Sequence, residues 1–396
     1  MPRLTLIRHL AWAIAGLAGI YLLTSALGPY RDLQFATIAY TAIAAAGLTV
    51  LVGGSGQISL GQGAFMAVGA YTTAVLLEHR PEWHLAVAVL FATLAAAVTG
   101  GLVGVAAARL RGPYLAGATL AFAVGLPALA DYRGLKDLLG GANGLVVATP
   151  PAPLSLGESF PLERWQAWIT GGCLVITLLL LGNLQRSRMG RTMRAVRDDE
   201  IAAALSGVDV ARTQVLAFVV SATCGGLGGA LLAVVNGVAA PGAFPLALSL
   251  SLLTAVILGG LGSLAGAVYG AALLALLPTW SSDVAQSLHL SRNVYANLPL
   301  AIYGVVLVVV MIGFPYGIQG GLRRLVRWLH AEGSPRSRDG NSARADVTEV
   351  TNVPVTEPDS VLKGGPDGDQ GEITGRSAHR APRTRRGLRW QRGQQQ

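Results

Sequence analysis

The side chains of this sequence that could do chemistry on a solute are neutral hydrogen-bonding groups set among glycines. They fall in the run GGSGQISLGQG at residues 53–63, which interrupts an otherwise apolar region. Its members that could meet a solute are Gly56, Gln57, Ser59, Gly61 and Gln62. Amide and hydroxyl groups can hydrogen-bond a polar solute, and the N-terminus of a half-helix offers N–H groups to a carboxylate. The run therefore predicts binding and passage of a solute.

A glycine-rich polar run within apolar sequence has two interpretations. In lipid, non-helical backbone is tolerated only where it is buried in protein or lines a cavity, because lipid cannot satisfy its N–H and C=O groups. A broken helix beside a solute path is one interpretation, and a glycine turn between two spans is the other. A second run, LGGANGL at residues 139–145, adds Gly141, Asn143 and Gly144 to the candidate path, with an ordinary loop as its alternative.

Residues 183–213 form a long, densely charged segment between hydrophobic runs. A segment of this kind must lie in water. Its first half, from Arg186 to Arg197, is basic, and we assign it to anchoring at the membrane surface, where lipid is a contact.

The second half of the charged segment predicts a short helix. An aspartate can cap its start and a glycine can end it. Apolar residues recur at i, i+4 and i+7, which makes one stripe on a helix too short to be stable alone. Such a helix needs a groove to dock in, and the alternatives are the membrane surface or its own bundle. The residues of this contact are Asp198, Asp199, Glu200, Ile201, Ala202, Ala203, Leu205, Gly207 and Val208.

Enzyme chemistry has no visible basis in the sequence. There is no HExxH, GxxxxGK[ST] or GxSxG motif, and the two cysteines, Cys173 and Cys224, lie in apolar runs without metal-ligand spacing. We therefore expect no catalytic residue, metal or bound cofactor, and an energy source outside the chain. The predicted spans contain no Asp, Glu, Lys or Arg, and their one histidine, His84, is the first residue of its span, which disfavours ion coupling.

The elements that position these residues are membrane helices. The sequence is 52% hydrophobic and 13% charged, whereas soluble proteins are typically about one quarter charged. Because a span needs roughly 20 apolar residues, we predict an all-α, polytopic transmembrane bundle of about 8–10 spans. The candidate spans are 10–27, 33–53, 63–77, 84–108, 113–130, 165–182, 214–235, 246–260, 262–279 and 297–314.

The arginines predict the orientation. With the spans threaded alternately and the N-terminus inside, the inner segments hold Arg3, Arg8, Arg109, Arg111, Arg186, Arg188, Arg191, Arg194, Arg197, Arg212, Arg323, Arg324 and Arg327. The outer segments hold Arg31, Arg80, Arg133, Lys136, Arg164 and Arg292. The positive-inside rule then gives a cytoplasmic N-terminus, C-terminus and 183–213 segment. Membrane orientation also explains the basic excess better than nucleic-acid binding does.

Three regions follow from this organisation. Residues 1–32 form an N-terminal span and short loop, and residues 33–322 form the transmembrane domain. Residues 323–396 begin with a basic juxtamembrane segment and continue into Pro-, Gly- and Ser-rich sequence, which by composition predicts a disordered cytoplasmic tail.

Residues 35–325 resemble the LivM-type permease subunits of branched-chain amino acid ABC importers. The resemblance is carried, in this order, by GQISLGQGAFMAVGAYTTA, GGANGL, GRTMRAVRDDEIAAALSGVDVARTQVLAFVVSA, ILGGLGSLAGAVYGAALLALLP and FPYGIQG. The sequence departs from the family pattern at Gly54, Ser55, Leu139 and Tyr316. The first three of these positions lie in the candidate path, so they bear on the solute.

The resemblance implies a heteromeric importer in the plasma membrane. This chain would pair with a second, related permease subunit, two cytoplasmic ABC ATPases that carry ATP and Mg, and an extracytoplasmic solute-binding protein. Residues 198–208 look like the family's coupling helix, and 183–213 would be the coupling loop. The expected solutes are branched-chain or other small aliphatic amino acids. Urea or short-chain amides on the same architecture, and a self-sufficient channel or secondary carrier, are the alternatives.

Overall fold

The computed structural model describes residues 2–26, 28–80, 82–110, 112–147, 149, 151–153, 157 and 160–287, with short pieces at 304–305, 308–309, 312 and 317–321. Nearly all of the described chain is helical. The first five helices are α1 (Pro2–Ala26), α2 (Pro29–Thr49), α3 (Gln62–His79), α4 (Leu85–Ala107) and α5 (Pro113–Leu129). The others are α6 (Lys136–Leu139), α7 (Leu162–Arg186), α8 (Arg188–Asp198), α9 (Glu200–Leu205), α10 (Val210–Asn236), α11 (Leu246–Gly259) and α12 (Leu264–Ser287).

The predicted all-α membrane bundle is confirmed. Nine of the predicted spans fall within the described ranges, and each overlaps a helix. Within those ranges, six helical segments are long and apolar enough to cross a membrane, namely Pro29–Gly54, Leu85–Ala107, Leu162–Arg186, Val210–Asn236, Pro241–Gly259 and Leu264–Asp283. The predicted span 297–314 lies mostly outside the described residues, and the tail from residue 323 onward lies wholly outside them.

Helices α2 and α10 form the centre of the bundle. The most apolar window of each is 78% buried. Helix α10 packs against α2, α3 and α4, while α2 also packs against α7 and α12. Small residues permit this close approach, because a methyl group at Gly69 of α3 would collide with the carbonyl oxygen of Gly226 in α10. In a bilayer, helices associate largely through such van der Waals packing.

The prediction that the spans contain no acidic residue is wrong at Asp32. Helix α2 begins at Pro29, and proline at the first position with an acid in the first turn favours that earlier start. Asp32 therefore lies inside the span, fully buried, and its Oδ2 accepts a hydrogen bond from Nε of Arg164 at 3.4 Å. The pair joins the starts of α2 and α7, so it belongs to helix packing.

The loops meet at two ends of the bundle. At one end, which we call the outer end, strand β1 (Leu145–Val146) pairs antiparallel with strand β2 (Val238–Ala239). At the other, the inner end, the chain after α2 meets α8 and the turn between α11 and α12. The two strands were not predicted, but each end gathers loops that the alternate threading places on one side.

Candidate functional site

The run at residues 53–63 is a discontinuity between two helices. Helix α2 continues into a π-helical turn at Val50–Gly54, where the hydroxyl of Ser55 donates to the carbonyl of Leu51 at 2.7 Å. Gly56 then has φ +75°, a conformation that favours glycine. The chain is non-helical from there until α3 begins at Gln62. We call residues 55–61 the break.

Helix α3 begins deep inside the bundle. The Gln62 amide nitrogen donates to the carbonyls of Ala44, at 2.9 Å, and Ser221, at 3.2 Å, while its oxygen accepts from the Ser221 hydroxyl at 3.1 Å. Ser221 lies near the middle of α10 (Val210–Asn236). The break therefore runs from the inner end toward the level of the middle of α10, and the choice between a broken helix beside a solute path and a glycine turn between two spans stays a prediction.

Buried hydroxyl groups accept hydrogen bonds from peptide N–H groups at the end of the break and at the start of α3. Leu60 donates to the Thr119 hydroxyl at 3.0 Å, and Gly63 donates to the Ser249 hydroxyl at 2.9 Å. Gly61 donates to the hydroxyl of Ser59 at 3.2 Å. Without water or lipid to bond them, these N–H groups need such partners. Ser59 and Gln62 thus hydrogen-bond protein groups in this conformation, and their contact with a solute stays a prediction.

Gln57 differs from the other polar residues of the break. Its side chain is 7% exposed, and its nitrogen donates to the Ser55 hydroxyl at 3.4 Å. Its Oε1 has no hydrogen-bond partner among the described residues. The residue lines a pocket of about 470 Å³ at the inner end, together with Glu200 of α9 and Gln214 of α10. This pocket brings the candidate path and the predicted coupling helix together.

Arg197, the penultimate residue of α8, connects the charged segment to the end of the π-turn. Its Nη1 donates to the carbonyl of Gly53 at 2.7 Å, and its Nε and Nη2 donate to Oδ1 of Asp198 at 3.0 and 2.8 Å. A Cβ at Gly56 would lie 2.8 Å from Cγ of Arg197, so glycine makes room for this side chain. Sequence reasoning assigned Arg197 to the membrane surface and missed this contact, because the acceptor is a backbone carbonyl 144 residues away.

Gly53 also contacts the turn between α11 and α12. A methyl group at Gly53 would collide with the backbone nitrogen of Gly262. In the same turn, Gly260 lies against Gly317, where a Cβ would come 2.5 Å from its Cα. The glycines at 53, 260–262 and 317, which are far apart in the sequence, therefore meet at the inner end.

The predicted coupling helix is present as α9. Oδ1 of Asp199 accepts from the N–H groups of Ile201, at 2.8 Å, and Ala202, at 3.0 Å, which is the predicted cap. Gly207, with φ +84°, follows its end. Ile201 and Leu205 are 75% and 85% exposed.

The opposite side of α9 packs on the protein. Ala203 is buried, and Val208, which is half-buried, donates its N–H to the carbonyl of Ala203 at 3.0 Å. Glu200 accepts from Nε2 of Gln214 at 2.9 Å, which ties the start of α9 to α10. The helix is thus held on one side and presents two large apolar side chains on the other.

The candidate residues at 141–144 lie elsewhere, at the outer end. Gly141 is buried at φ +60°, and Gly144 has φ +71°. A methyl group at Gly144 would collide with the carbonyl oxygen of Ala239, so this turn packs against the chain after α10. Asn143 is exposed. The structure does not bring these residues to the break, and their role in a path stays a prediction.

Comparison with known proteins gives one family for most of the chain. Residues 32–314 match the family described as branched-chain amino acid transport system / permease component. The high-affinity branched-chain amino acid transport system permease protein LivM of Escherichia coli K12 is 33% identical over 310 residues, which is 72% of this chain and 69% of that protein.

Two further relatives match over shorter stretches. The permease protein LivH of the Escherichia coli K12 high-affinity branched-chain amino acid transport system is 31% identical over 153 residues, or 39% of this chain and 46% of that protein. The xylose transport system permease protein XylH of the same organism is 35% identical over 113 residues, or 26% and 28%. No solved structure matches.

Proposed function

This chain belongs to the permease components of branched-chain amino acid transport systems, and we propose that it forms the membrane path of an ATP-driven importer for branched-chain or other small aliphatic amino acids. The substrate class follows the names of the LivM and LivH relatives. The similarity to XylH covers only 26% of this chain, and XylH is named for the transport of xylose, a sugar. The shared architecture alone therefore does not determine which solute is transported.

The observation that carries the proposal is the exposed apolar surface of α9. A six-residue helix is too short to be stable by itself, and here it is capped by Asp199 and packed through Ala203. Ile201 and Leu205 nevertheless point away from the protein. Burying two such side chains in a partner's groove is worth about 3–6 kcal/mol before binding costs.

The occupant of that surface is an ABC ATPase in this proposal. Because the sequence has no nucleotide-binding motif, two cytoplasmic ATPase subunits would supply ATP hydrolysis with their own ATP and Mg. A second, related permease subunit would complete the path, as the similarity to both LivM and LivH supports. An extracytoplasmic solute-binding protein would deliver the amino acid.

The arrangement of the chain in the plasma membrane follows from the same proposal. ATPases are cytoplasmic, so the inner end with α9 and the arginine-rich segment would face the cytoplasm, with both termini on that side. The strand pair and Asn143 would then face outward.

Coupling would run through two contacts of the inner end. An ATPase that closes on ATP would move α9, and α8 with it. Arg197 would carry this movement to the carbonyl of Gly53 at the end of the π-turn. The break would shift because it begins two residues later, and the path would open or close by relative movement of packed helices.

Co-purification with the ATPases tests the proposal. Leu205→Asp places a charge in the docking surface, and since Leu205 is exposed the fold should tolerate it. We expect this variant to lose ATPase association and ATP-dependent leucine uptake. The matched control is Val146→Asp, at a similarly exposed aliphatic residue of the outer end, which should keep ATPase association.

The competing functions give different results. A self-sufficient channel or carrier would transport with Leu205→Asp unchanged, and that outcome would overturn the coupling role. For the solute, uptake of labelled leucine is competed with valine, urea and xylose. Competition by urea alone would remove the amino-acid assignment in favour of amides.

A further inference from the structure

The inner-end pocket between the break and α9 has the features of a ligand site. Its volume is about 470 Å³, within the range of pockets that hold small ligands. One wall is the break, at Ser55–Ile58, and another comes from the charged segment, at Arg197 and Glu200. The remaining wall is apolar and contains Leu110 and Leu115.

Two residues that line this pocket, on different elements, carry hydrogen-bond acceptors. Oε1 of Gln57 has no partner among the described residues although its side chain is 7% exposed. A buried acceptor without a partner is costly, so it marks a place for a donor. Glu200, on the other element, adds a carboxylate that receives only a neutral amide hydrogen bond in the contacts described, from Gln214 at 2.9 Å.

The charges of the pocket favour a cationic donor. Arg197 also lines it, but its guanidinium pairs with Asp198 at 2.8 Å and donates to the Gly53 carbonyl. Among the described residues that line the pocket, Glu200 is therefore the one whose charge has no charged partner in the contacts given. An ammonium group has three donors and one positive charge, so it can serve Gln57 and Glu200 together.

We propose that this pocket binds the transported amino acid on the product side, with its ammonium group between Gln57 and Glu200 and its aliphatic side chain against Leu110 and Leu115. The inference rests on the proposed function and names the recognition chemistry at the inner end of the path. Binding depends on the ammonium group and the aliphatic chain, and the ligand's carboxylate is not required.

Occupancy of the pocket also affects turnover. Glu200 is the first residue of α9, and Gln57 belongs to the break. A ligand that bonds both holds the coupling helix and the break in their present relation and opposes the movement that coupling needs. Amino acid accumulated inside the cell consequently slows its own import.

Saturation-transfer NMR on the complete importer in nanodiscs, without the solute-binding protein, tests the site because this method detects weak ligands. Leucine should give a saturable signal from its methyl protons. Leucinamide, which keeps the ammonium group, should compete, whereas 4-methylpentanoate, which lacks it, should not. Gln57→Leu should weaken leucine binding by about tenfold or more, since a hydrogen bond to a charged group is lost.

Two further variants distinguish binding in this pocket from a general effect of mutation on the protein. Gln34→Leu makes the same substitution at the opposite end of α2, outside the pocket, and should bind leucine as the wild type does. Ala116→Phe adds bulk to the pocket from α5 and replaces none of its polar residues, and should abolish the signal. In proteoliposomes, internal leucine should slow ATP-driven uptake by the wild type and have little effect on Gln57→Leu.

The inference is overturned if leucine gives no saturable signal, if 4-methylpentanoate competes as well as leucinamide, or if Ala116→Phe leaves binding intact. Equal binding by Gln57→Leu and Gln34→Leu has the same consequence. ATP-driven leucine uptake by the wild type in any of these cases leaves the proposed function standing. If the wild type shows no ATP-driven leucine uptake, the proposed function is wrong.

Discussion

At the scale of single residues, Arg197 is the connection between the charged segment and the membrane interior. Its 2.7 Å hydrogen bond to the carbonyl of Gly53 crosses from α8 to the end of α2. The same guanidinium holds Asp198, so the side chain is fixed at both of its bonding edges. Because Gly53 is the penultimate residue of the π-turn, displacement of α8 changes the geometry from which the break begins.

Replacing this residue should separate ATP hydrolysis from transport. In Arg197→Gln, α9 keeps its cap and its exposed apolar residues, so the ATPases should still bind and hydrolyse ATP. The lost bond is charge-assisted and worth about 1.5–3 kcal/mol, and we expect uptake to fall by about tenfold or more. The measurement is leucine taken up per ATP hydrolysed in proteoliposomes.

Arg191→Gln is the matched control for that prediction. Arg191 lies on the same helix and donates to the carbonyl of Arg186 at 3.1 Å, within its own segment. It should therefore leave the ratio of uptake to hydrolysis unchanged. Equal ratios in the two variants would show that the Gly53 contact carries no coupling, and loss of ATPase binding in Arg197→Gln would make Arg197 a docking residue.

Single residues are also where prediction from the sequence fails, because the sequence does not distinguish two glutamines whose surroundings differ. Gln57 and Gln62 belong to one run and carry the same side chain, so the sequence assigns both to the path. In the structure, Gln62 bonds Ala44 and Ser221 while Oε1 of Gln57 bonds no described residue. The difference arises from helices distant in sequence, and no local pattern contains that information.

At the scale of elements, the close contact of α3 with α10 holds the break at its depth. Glycines make the contact possible, since a methyl group at Gly229 of α10 would collide with the carbonyl oxygen of Met66 in α3. Backbone on both sides leaves no flexible side chain to move aside. The helices must therefore separate if a larger residue is introduced.

Gly229→Ala should destabilise the bundle by about 1–3 kcal/mol through overpacking. The control is Gly172→Ala on α7, where an added Cβ meets nothing within 4 Å. Alanine is the better helix former, so that variant should be neutral or more stable by up to about 1 kcal/mol. Thermal unfolding in detergent, followed by size-exclusion chromatography, distinguishes them, and equal midpoints would contradict the proposed packing.

Elements were predictable to the extent that one local signal defines them. Long apolar runs gave the membrane helices, and the Asp, Glu and Gly pattern gave α9 with its cap. The strands at Leu145–Val146 and Val238–Ala239 have two residues each, which is too short for an alternating pattern to be recognised. Their pairing also joins loops nearly 100 residues apart. The early start of α2 has a local signal in Pro29 and Asp32, but the burial of the Asp32 carboxylate depends on Arg164, which is 132 residues away in the sequence.

At the scale of the whole molecule, the contacts agree with the alternate threading of the chain. The break, α8, α9 and the turn between α11 and α12 meet at the inner end. The loop before α7 and the loop after α10 pair at the outer end. If the threading had one span too many or too few between any two of these loops, it would place the two loops at opposite ends of the bundle. Which end faces the cytoplasm stays a prediction from the charge distribution.

Single cysteines at the two ends test that orientation. Ser206 follows α9, Asn143 ends the short turn at Gly141–Asn143, and both are exposed. The native cysteines lie in membrane helices, Cys224 buried and Cys173 half-buried, and are replaced by alanine to remove background. In intact cells, an impermeant maleimide should label Asn143→Cys and not Ser206→Cys, and permeabilisation should expose the second. The reverse pattern would put α9 outside the cell, beyond reach of any cytoplasmic ATPase, and both the orientation and the coupling role would fall together.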